Sequence, residues 1–142
     1  MSRKNLETSI VDFMQAIGLL VRRARAAAAS QELSWSETAV MWRLATDGPS
    51  TTAELARGEG MKPQSMGATI AVLEEMGMVE RRPHPTDGRQ VNIELTLKGA
   101  AVWKTASDAK RTWLTQAIGK LDKREQAALF AAGELIKRLA EK

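Results

Sequence analysis

A short cationic hairpin carries the most distinctive chemistry in this sequence. The segment HPTDGRQ, residues 84–90, lies between two strand-like runs, VERRP and VNIEL. Its Asp87-Gly88 pair predicts a tight hairpin turn, because glycine tolerates the positive φ that such turns require. The candidate contact residues around this turn are Arg81, Arg82, His84, Asp87, Arg89 and Gln90. Guanidinium groups suit phosphate oxygens, so the pattern indicates a β-ribbon that follows a DNA backbone or enters the minor groove. For the hairpin taken alone, a solvated surface hairpin is the favoured alternative. Together with the helix pair that precedes it, the hairpin favours DNA.

A helix with a face of small and polar residues precedes the hairpin. Met66, Ile70 and Leu73 form an apolar stripe that predicts a core-facing side. The candidate DNA contacts at the start of this helix and along it are Lys62, Pro63, Gln64, Ser65, Gly67, Ala68 and Thr69. In the major groove a glutamine can read adenine and an alanine can contact a thymine methyl group, while a lysine beside free N–H groups can hold a phosphate. A helix pair that merely packs is the alternative.

Other kinds of chemistry have little support in the sequence. The chain has no cysteine, and its one histidine, His84, has no second ligand at metal spacing. We therefore expect no metal and no cofactor. The sequence shows no nucleophile–base pair and no phosphate-cradling glycine loop, so the chain is predicted not to be an enzyme. A small-molecule enzyme on a helical dimer is the weakest of the alternatives. Because no long apolar run is present, we expect no membrane span and a cytoplasmic location.

The net charge permits an anionic partner without requiring one. The whole chain carries +4, but residues 61–90 contain four basic and four acidic residues. The positions of the cations, rather than their number, must therefore support DNA binding. The near-neutral segment is the best support for a rival hypothesis, a winged-helix dimer that binds protein and has lost its affinity for DNA.

The elements that position these residues are predicted from periodicity and capping signals. Capping-box pairs open three helices: Ser34 with Glu37, Thr51 with Glu54, and Asp122 with Glu125. Gly58 and Gly60 predict that the short third helix ends near Arg57, and Thr96 is expected to cap the fifth helix. The predicted order is a helix at 5–28, a helix at 34–46, a short helix at 51–57, a helix at 62–77, the hairpin, and helices at 97–119 and 123–141.

Two tryptophans could serve either packing or ligand binding. Trp35 and Trp42 lie seven residues apart on one face of the second helix. An effector pocket could use them, but ligand sites are few in any protein, so the core is the favoured interpretation.

The chain resembles the MarR family (multiple antibiotic resistance regulators) over nearly its whole length, since the flanking helices also match in order and length. DGRQVNIELTLKG matches the family signature Asp-x-Arg followed by Leu-Thr-x-x-Gly, and MKPQSMGATIAVLEEMGMVERRPHPTDGR is similar to the family's recognition helix and wing. The resemblance implies an obligate homodimer that binds duplex DNA at a near-palindromic operator, usually as a repressor, often released by a small anionic or aromatic effector. It also implies that Asp87 pairs with Arg89 to hold the wing. Gly88 stands where many members have arginine or lysine.

The expected fold class is mainly α with a small β-hairpin wing. Residues 31–96 are predicted to form a winged helix-turn-helix domain that binds DNA, and residues 1–30 and 97–142 a helical dimerisation region. Helices 1, 5 and 6 have apolar stripes that a chain of this size could hardly bury alone. The stripe residues of the last two helices are Trp103, Leu114, Ala117, Ile118, Phe130, Leu135, Ile136 and Leu139.

Overall fold

Six helices and three short strands make up the part of the chain that the structure describes. The structure, a computed structural model, describes residues 2–28 and 33–141. The predicted domain boundary at residues 30 and 31 therefore lies outside the described residues. The elements are α1 (Arg3–Ala27), α2 (Trp35–Asp47), β1 (Ser50–Thr51), α3 (Thr52–Glu59), α4 (Pro63–Glu75), β2 (Val79–Pro83), β3 (Val91–Leu95), α5 (Leu97–Gly119) and α6 (Lys123–Ala140). This mainly helical fold with a small antiparallel sheet confirms the predicted class.

Side-chain caps fix where three of the helices begin. Ser34, Thr51 and Asp122 each accept the N–H of the residue three positions later, and each glutamate at that position accepts the N–H of the cap. All three predicted capping boxes are confirmed. Reciprocal bonding satisfies two otherwise unpaired donors at each helix start, so the sequence marks these boundaries locally.

The prediction that α3 ends near Arg57 is wrong. The helix continues to Glu59, with Gly58 inside it. A Cβ at Gly58 would lie 2.6 Å from the Arg43 guanidinium, which donates to the Gly58 carbonyl and pairs with Glu59. Gly58 therefore makes room for an arginine of α2. Gly60, at φ 63°, ends the helix, because the left-handed conformation there costs glycine little.

A three-stranded antiparallel sheet in the order β1-β3-β2 supports the helices. Ser50 of β1 is opposite Ile93, and Arg81 of β2 is also opposite Ile93 on the other side. Strand β1 was not predicted, because two residues are too short to show an alternating pattern. It flanks the hairpin on one edge, so β3 becomes the central strand and its Ile93 is fully buried.

The hydrophobic core lies between the helices and the sheet of the winged helix-turn-helix. Its buried apolar residues are Val40, Met41, Leu44, Leu55, Ala56, Met66, Ile70, Leu73, Met78, Val79 and Ile93. The predicted stripe on α4 is confirmed, since its three members have no exposure. The interpretation of Trp35 and Trp42 as core residues is wrong, because they are 59% and 49% exposed. Both lie on the side of α2 away from the residues that the helix buries, Val40, Met41 and Leu44.

The junction between the hairpin and α5 is tightly packed. Thr96 accepts the N–H of Gly99, as predicted for a helix cap, and its hydroxyl donates to the Gly77 carbonyl. A Cβ on Gly99 would lie 2.0 Å from the Met78 carbonyl oxygen, so only glycine allows this approach. The Thr-x-x-Gly spacing therefore anchors α5 to the chain that enters β2.

Two compact units divide the chain. One comprises Met1–Ala27 and Asp108–Lys142, and the other Ala28–Ser107, so α5 contributes to both. Throughout their described lengths, α1 and α6 bury no residue. Trp103, expected on a stripe that seeks a partner, is instead partly buried against the core of the second unit. Among residues 2–28 and 33–141, none of the helices combines the length and apolarity that a membrane crossing requires.

Candidate nucleic-acid interface

A helix-turn-helix brings the first group of predicted contacts together. Helix α3 ends at the left-handed Gly60, and the Met61 N–H donates to the Ala56 carbonyl at 2.9 Å. The chain then turns into α4, which packs Met66, Ile70 and Leu73 on the core. Because these residues fix the rotation of α4, the opposite side of the helix must face outward.

The outward side of α4 carries the residues predicted to contact DNA. Lys62, Pro63, Gln64, Ser65 and Ala68 are exposed, and Gly67 and Thr69 are half-buried. The Thr69 hydroxyl donates to the Ser65 carbonyl at 3.2 Å, within its own helix. Gln64 and Ser65 are therefore the polar side chains of this face whose hydrogen-bonding groups point to solvent. Small residues around them allow another surface to come close to the helix backbone.

The N-terminus of α4 differs from those of α2, α3 and α6. Lys62 stands at its cap position without a side-chain hydrogen bond, and Pro63 follows it. The N–H groups of Gln64 and Ser65 consequently lack a capping side chain. Free N–H groups, the helix dipole and a nearby lysine together favour an anion at this end.

Carboxylates partly neutralise the two arginines of β2. Arg81 pairs with Glu74 of α4 at 3.2 Å, and both side chains are 42% exposed. Arg82 lies 2.9 Å from Glu80 and 2.6 Å from Glu94. Hydrogen bonding to Glu80, and the charges of both carboxylates, raise the pKa of the Arg82 guanidinium.

The pairing around Arg82 has a structural cause. Glu80 and Glu94 lie directly opposite each other on neighbouring strands, where like charges repel. Arg82 bridges them. From the sequence alone Arg82 is only a candidate DNA contact, because the position of Glu94 depends on strand register.

The tip of the hairpin is a seven-residue loop rather than a two-residue turn. Gln90 donates its N–H to the Asp87 carbonyl at 3.0 Å, which closes a turn over Gly88 and Arg89. Among the described residues the glycines with positive φ are Gly48, Gly60 and Gly77. The prediction that Gly88 supplies a positive φ is therefore wrong. An aspartate at the first position is typical of a type I turn, which does not need one.

Asp87 and His84 hold this loop from inside. The Asp87 carboxylate accepts the Arg89 N–H at 3.0 Å, while its ion pair with the Arg89 guanidinium is long, at 3.9 Å. The Arg89 side chain is 97% exposed. His84 is half-buried, and its Nδ1 accepts N–H groups of the loop. Arg89 and Lys62 are thus exposed cations that can meet an external anion, and Gln90, next to Arg89 in the chain, is also exposed.

The arrangement offers groups for binding rather than for catalysis. Its two parts, the α4 face and the hairpin, supply cations, amide groups and free backbone donors. Within the described ranges, no three His, Cys, Asp or Glu side chains are grouped so that they could hold a metal ion.

Comparisons with known proteins agree with this arrangement. Residues 33–91 match the sequence model of the MarR family. The chain is 35% identical to the HTH-type transcriptional regulator MT0903.1 of Mycobacterium tuberculosis, over 92% of this chain and 91% of that protein. It is 25% identical to the HTH-type transcriptional repressor NicR of Pseudomonas putida, over 88% of this chain and 84% of that protein. A MarR family protein from Bacillus stearothermophilus has the same fold, with a TM-score of 0.84, 15% identity and 100% coverage of both chains.

Proposed function

The chain belongs to the MarR family of helix-turn-helix transcriptional regulators, and on that basis we propose that it binds duplex DNA as a homodimer and represses transcription. In this proposal α4 lies in the major groove and the hairpin, residues 79–95, lies along the neighbouring backbone or minor groove. The observation that carries it is the outward face of α4, where Lys62, Gln64 and Ser65 surround an uncapped helix start. Repression is supported by the relative named as a repressor.

A homodimer is supported by the apolar side chains that α1 and α6 leave exposed. Met14 of α1 is 66% exposed and Leu139 of α6 is 71% exposed. A groove of about 380 Å³ between these helices is lined by Ser9, Ile10, Phe13, Ala132, Leu135, Ile136 and Leu139. Contiguous apolar surface of this kind marks an interface. A second copy of the chain would cover it and would place two recognition helices on one duplex.

Release by a small aromatic or anionic effector completes the proposal. The family resemblance supports it, and Trp35 and Trp42 are exposed aromatic candidates for such a ligand. Quenching of tryptophan fluorescence by a panel of aromatic carboxylates, together with loss of a labelled duplex from the protein, is the expected result. Quenching that leaves the bound duplex in place would assign the ligand no regulatory effect.

The salt dependence of DNA binding tests the central claim. Fragments of genomic DNA recovered with the protein are sequenced, and the enriched duplex is titrated between low and moderate salt. Lys62→Ala should flatten the slope of log affinity against log salt by about 2, since each of two protomers loses one phosphate contact worth roughly 0.9. The matched control, Lys120→Ala, changes an exposed lysine at the end of α5 and should leave the slope unchanged.

A protein-binding dimer without DNA affinity is the second candidate. The ion pairs of Arg81 and Arg82 with Glu74, Glu80 and Glu94 favour it, because they reduce the positive charge of the hairpin. If no fragment is enriched and no duplex binds at low salt, the protein-binding dimer replaces the proposed DNA-binding function. If the recovered sites contain half-sites about one helical turn apart, the proposed DNA-binding function is supported.

A further inference from the structure

The single histidine of the chain occupies an unusual place at the hairpin tip. His84 Nδ1 accepts the backbone N–H of Thr86 at 3.2 Å and the backbone N–H of Asp87 at 3.1 Å. The Thr86 hydroxyl is 3.3 Å from the same nitrogen. The backbone N–H of His84 donates to the Gln90 carbonyl at 3.0 Å. The Nδ1 atom of His84 therefore accepts the backbone N–H groups of two consecutive loop residues, Thr86 and Asp87.

We propose that His84 is a positioning residue of the hairpin tip. Only its uncharged ring can accept the hydrogen bonds that keep the turn ordered. An imidazole nitrogen that accepts two N–H bonds carries no hydrogen, so the ring must be the neutral tautomer protonated at Nε2. A charged ring carries hydrogen on both nitrogens and donates from both. The two N–H groups would then face a third donor, and both hydrogen bonds would be lost.

The charged groups around His84 act in opposite directions on a proton. Within its loop these are Asp87 and Arg89, and on α3 Glu54 is within electrostatic range of His84, with Arg57 in range of Glu54. Hydrogen bonding to the backbone and side chain of Thr51 lowers the pKa of Glu54, and the charge of Arg57 contributes. Glu54 is therefore ionised over the range in which histidines ordinarily change charge. It favours a charged ring outside the turn, whereas the two N–H groups favour a neutral ring inside it.

The consequence for the proposed function is a recognition surface that depends on pH. The turn positions Asp87, whose carboxylate holds the Arg89 N–H at 3.0 Å, so order at His84 determines how Arg89 is presented. Histidine ordinarily changes charge between about pH 5 and 8. Protonation of the ring should therefore loosen the turn and remove the Arg89 contact. This step rests on the proposed DNA binding, but the behaviour of the turn does not.

Nuclear magnetic resonance of the free full-length protein tests the turn directly. Because His84 is the only histidine, its ring nitrogens can be assigned without ambiguity. At pH 8 we expect the Nε2–H tautomer and protected amides at Thr86 and Asp87. On acidification, the protection factor of each amide should fall by up to about tenfold as the ring gains its proton, the scale of one lost hydrogen bond per amide.

Two variants separate the acceptor from the titration. His84→Asn keeps an oxygen acceptor of similar reach, which can close the same kind of turn, so both amides should stay protected at every pH from 5 to 8. His84→Ala has no acceptor, so both amides should be unprotected throughout. An Nδ1–H tautomer, or protected amides in His84→Ala, would overturn the proposal.

A binding arm distinguishes this inference from the proposed function. At constant ionic strength, the affinity of the unchanged protein for the enriched duplex should fall by up to about tenfold from pH 8 to pH 5, while that of His84→Asn stays flat. If both proteins show the same pH dependence, His84 does not set the binding surface and that part of the proposal is wrong. If no duplex binds either protein but the amides behave as expected, the DNA function fails and the assignment of the turn stands.

Discussion

At Gly88 the hairpin tip has room for a side chain. An added Cβ would meet nothing within 4 Å, and the residue does not have the positive φ that would require glycine. The family resemblance places arginine or lysine here in many members. The glycine therefore removes a cation from the tip without a conformational reason that the structure shows.

Gly88→Arg should restore that cation. If the tip approaches DNA, one added contact per protomer should steepen the salt slope by about 2 and raise the affinity at low salt. The measurement is the same titration over a salt series. Gly119→Arg is the matched control, since Gly119 is exposed at the end of α5 and also has no neighbour within 4 Å of an added Cβ. A slope for Gly88→Arg that equals the control would show that the tip stays away from the duplex.

On the scale of elements, Gly67 lowers the stability of α4 but leaves space beside the helix backbone. It lies inside α4, where glycine destabilises a helix by about 0.5–1 kcal/mol relative to alanine, and an added Cβ would meet nothing within 4 Å. Nothing in the isolated chain therefore requires glycine at this position. A close approach of DNA to the helix backbone would require it.

Gly67→Ala should accordingly raise stability and weaken DNA binding. We expect the free energy of unfolding to rise by about 0.5–1 kcal/mol, measured by urea denaturation, and the affinity for the enriched duplex to fall roughly tenfold, the effect of one lost base contact. Gly133→Ala, in α6, is the control with the same helical gain. If Gly67→Ala gains stability and keeps its affinity, α4 does not approach DNA along this face.

Local signals predicted most element boundaries, and distant contacts decided the rest. The capping boxes and Gly60 act within a few residues of themselves, so the sequence indicated them directly. Gly58 was wrongly interpreted as a helix stop, because the glycine is required by the Arg43 side chain, which approaches it from α2. The exposure of Trp35 and Trp42 depended on which side of α2 is buried, and two residues on one face cannot show that.

The candidate site was predicted in its residues but not in its electrostatics. Strand register brings Glu94 to Arg82, and helix packing brings Glu74 to Arg81. Neither pairing can be derived from spacing along the chain. The role of His84 in its turn also appears only when the loop conformation is known. Whether these residues contact DNA stays a prediction, which the salt series addresses.

At the scale of the whole molecule, the proposed dimer accounts for two features: the exposed apolar side chains of α1 and α6, and the small outward face of α4. A single face of small residues with few distinctive side chains gives modest discrimination, so two copies on one duplex are needed for useful affinity and specificity. In the proposed dimer, the apolar side chains that α1 and α6 leave exposed form the pairing surface. DNA affinity should therefore depend on residues that never contact DNA.

Leu139→Asp tests that dependence. Leu139 is 71% exposed, so its replacement should leave the fold of each chain intact. In a dimer interface, a buried and unpaired carboxylate should weaken association by about 2 kcal/mol or more, roughly 30-fold. Sedimentation velocity at micromolar concentration should then show monomers, and the affinity for the enriched duplex should fall with the loss of the second recognition helix. Lys137→Gln, on the same helix, should remain dimeric and bind normally. If Leu139→Asp is monomeric and still binds the duplex with full affinity, one copy is sufficient. If the unchanged protein is itself monomeric at that concentration, α1 and α6 have another partner.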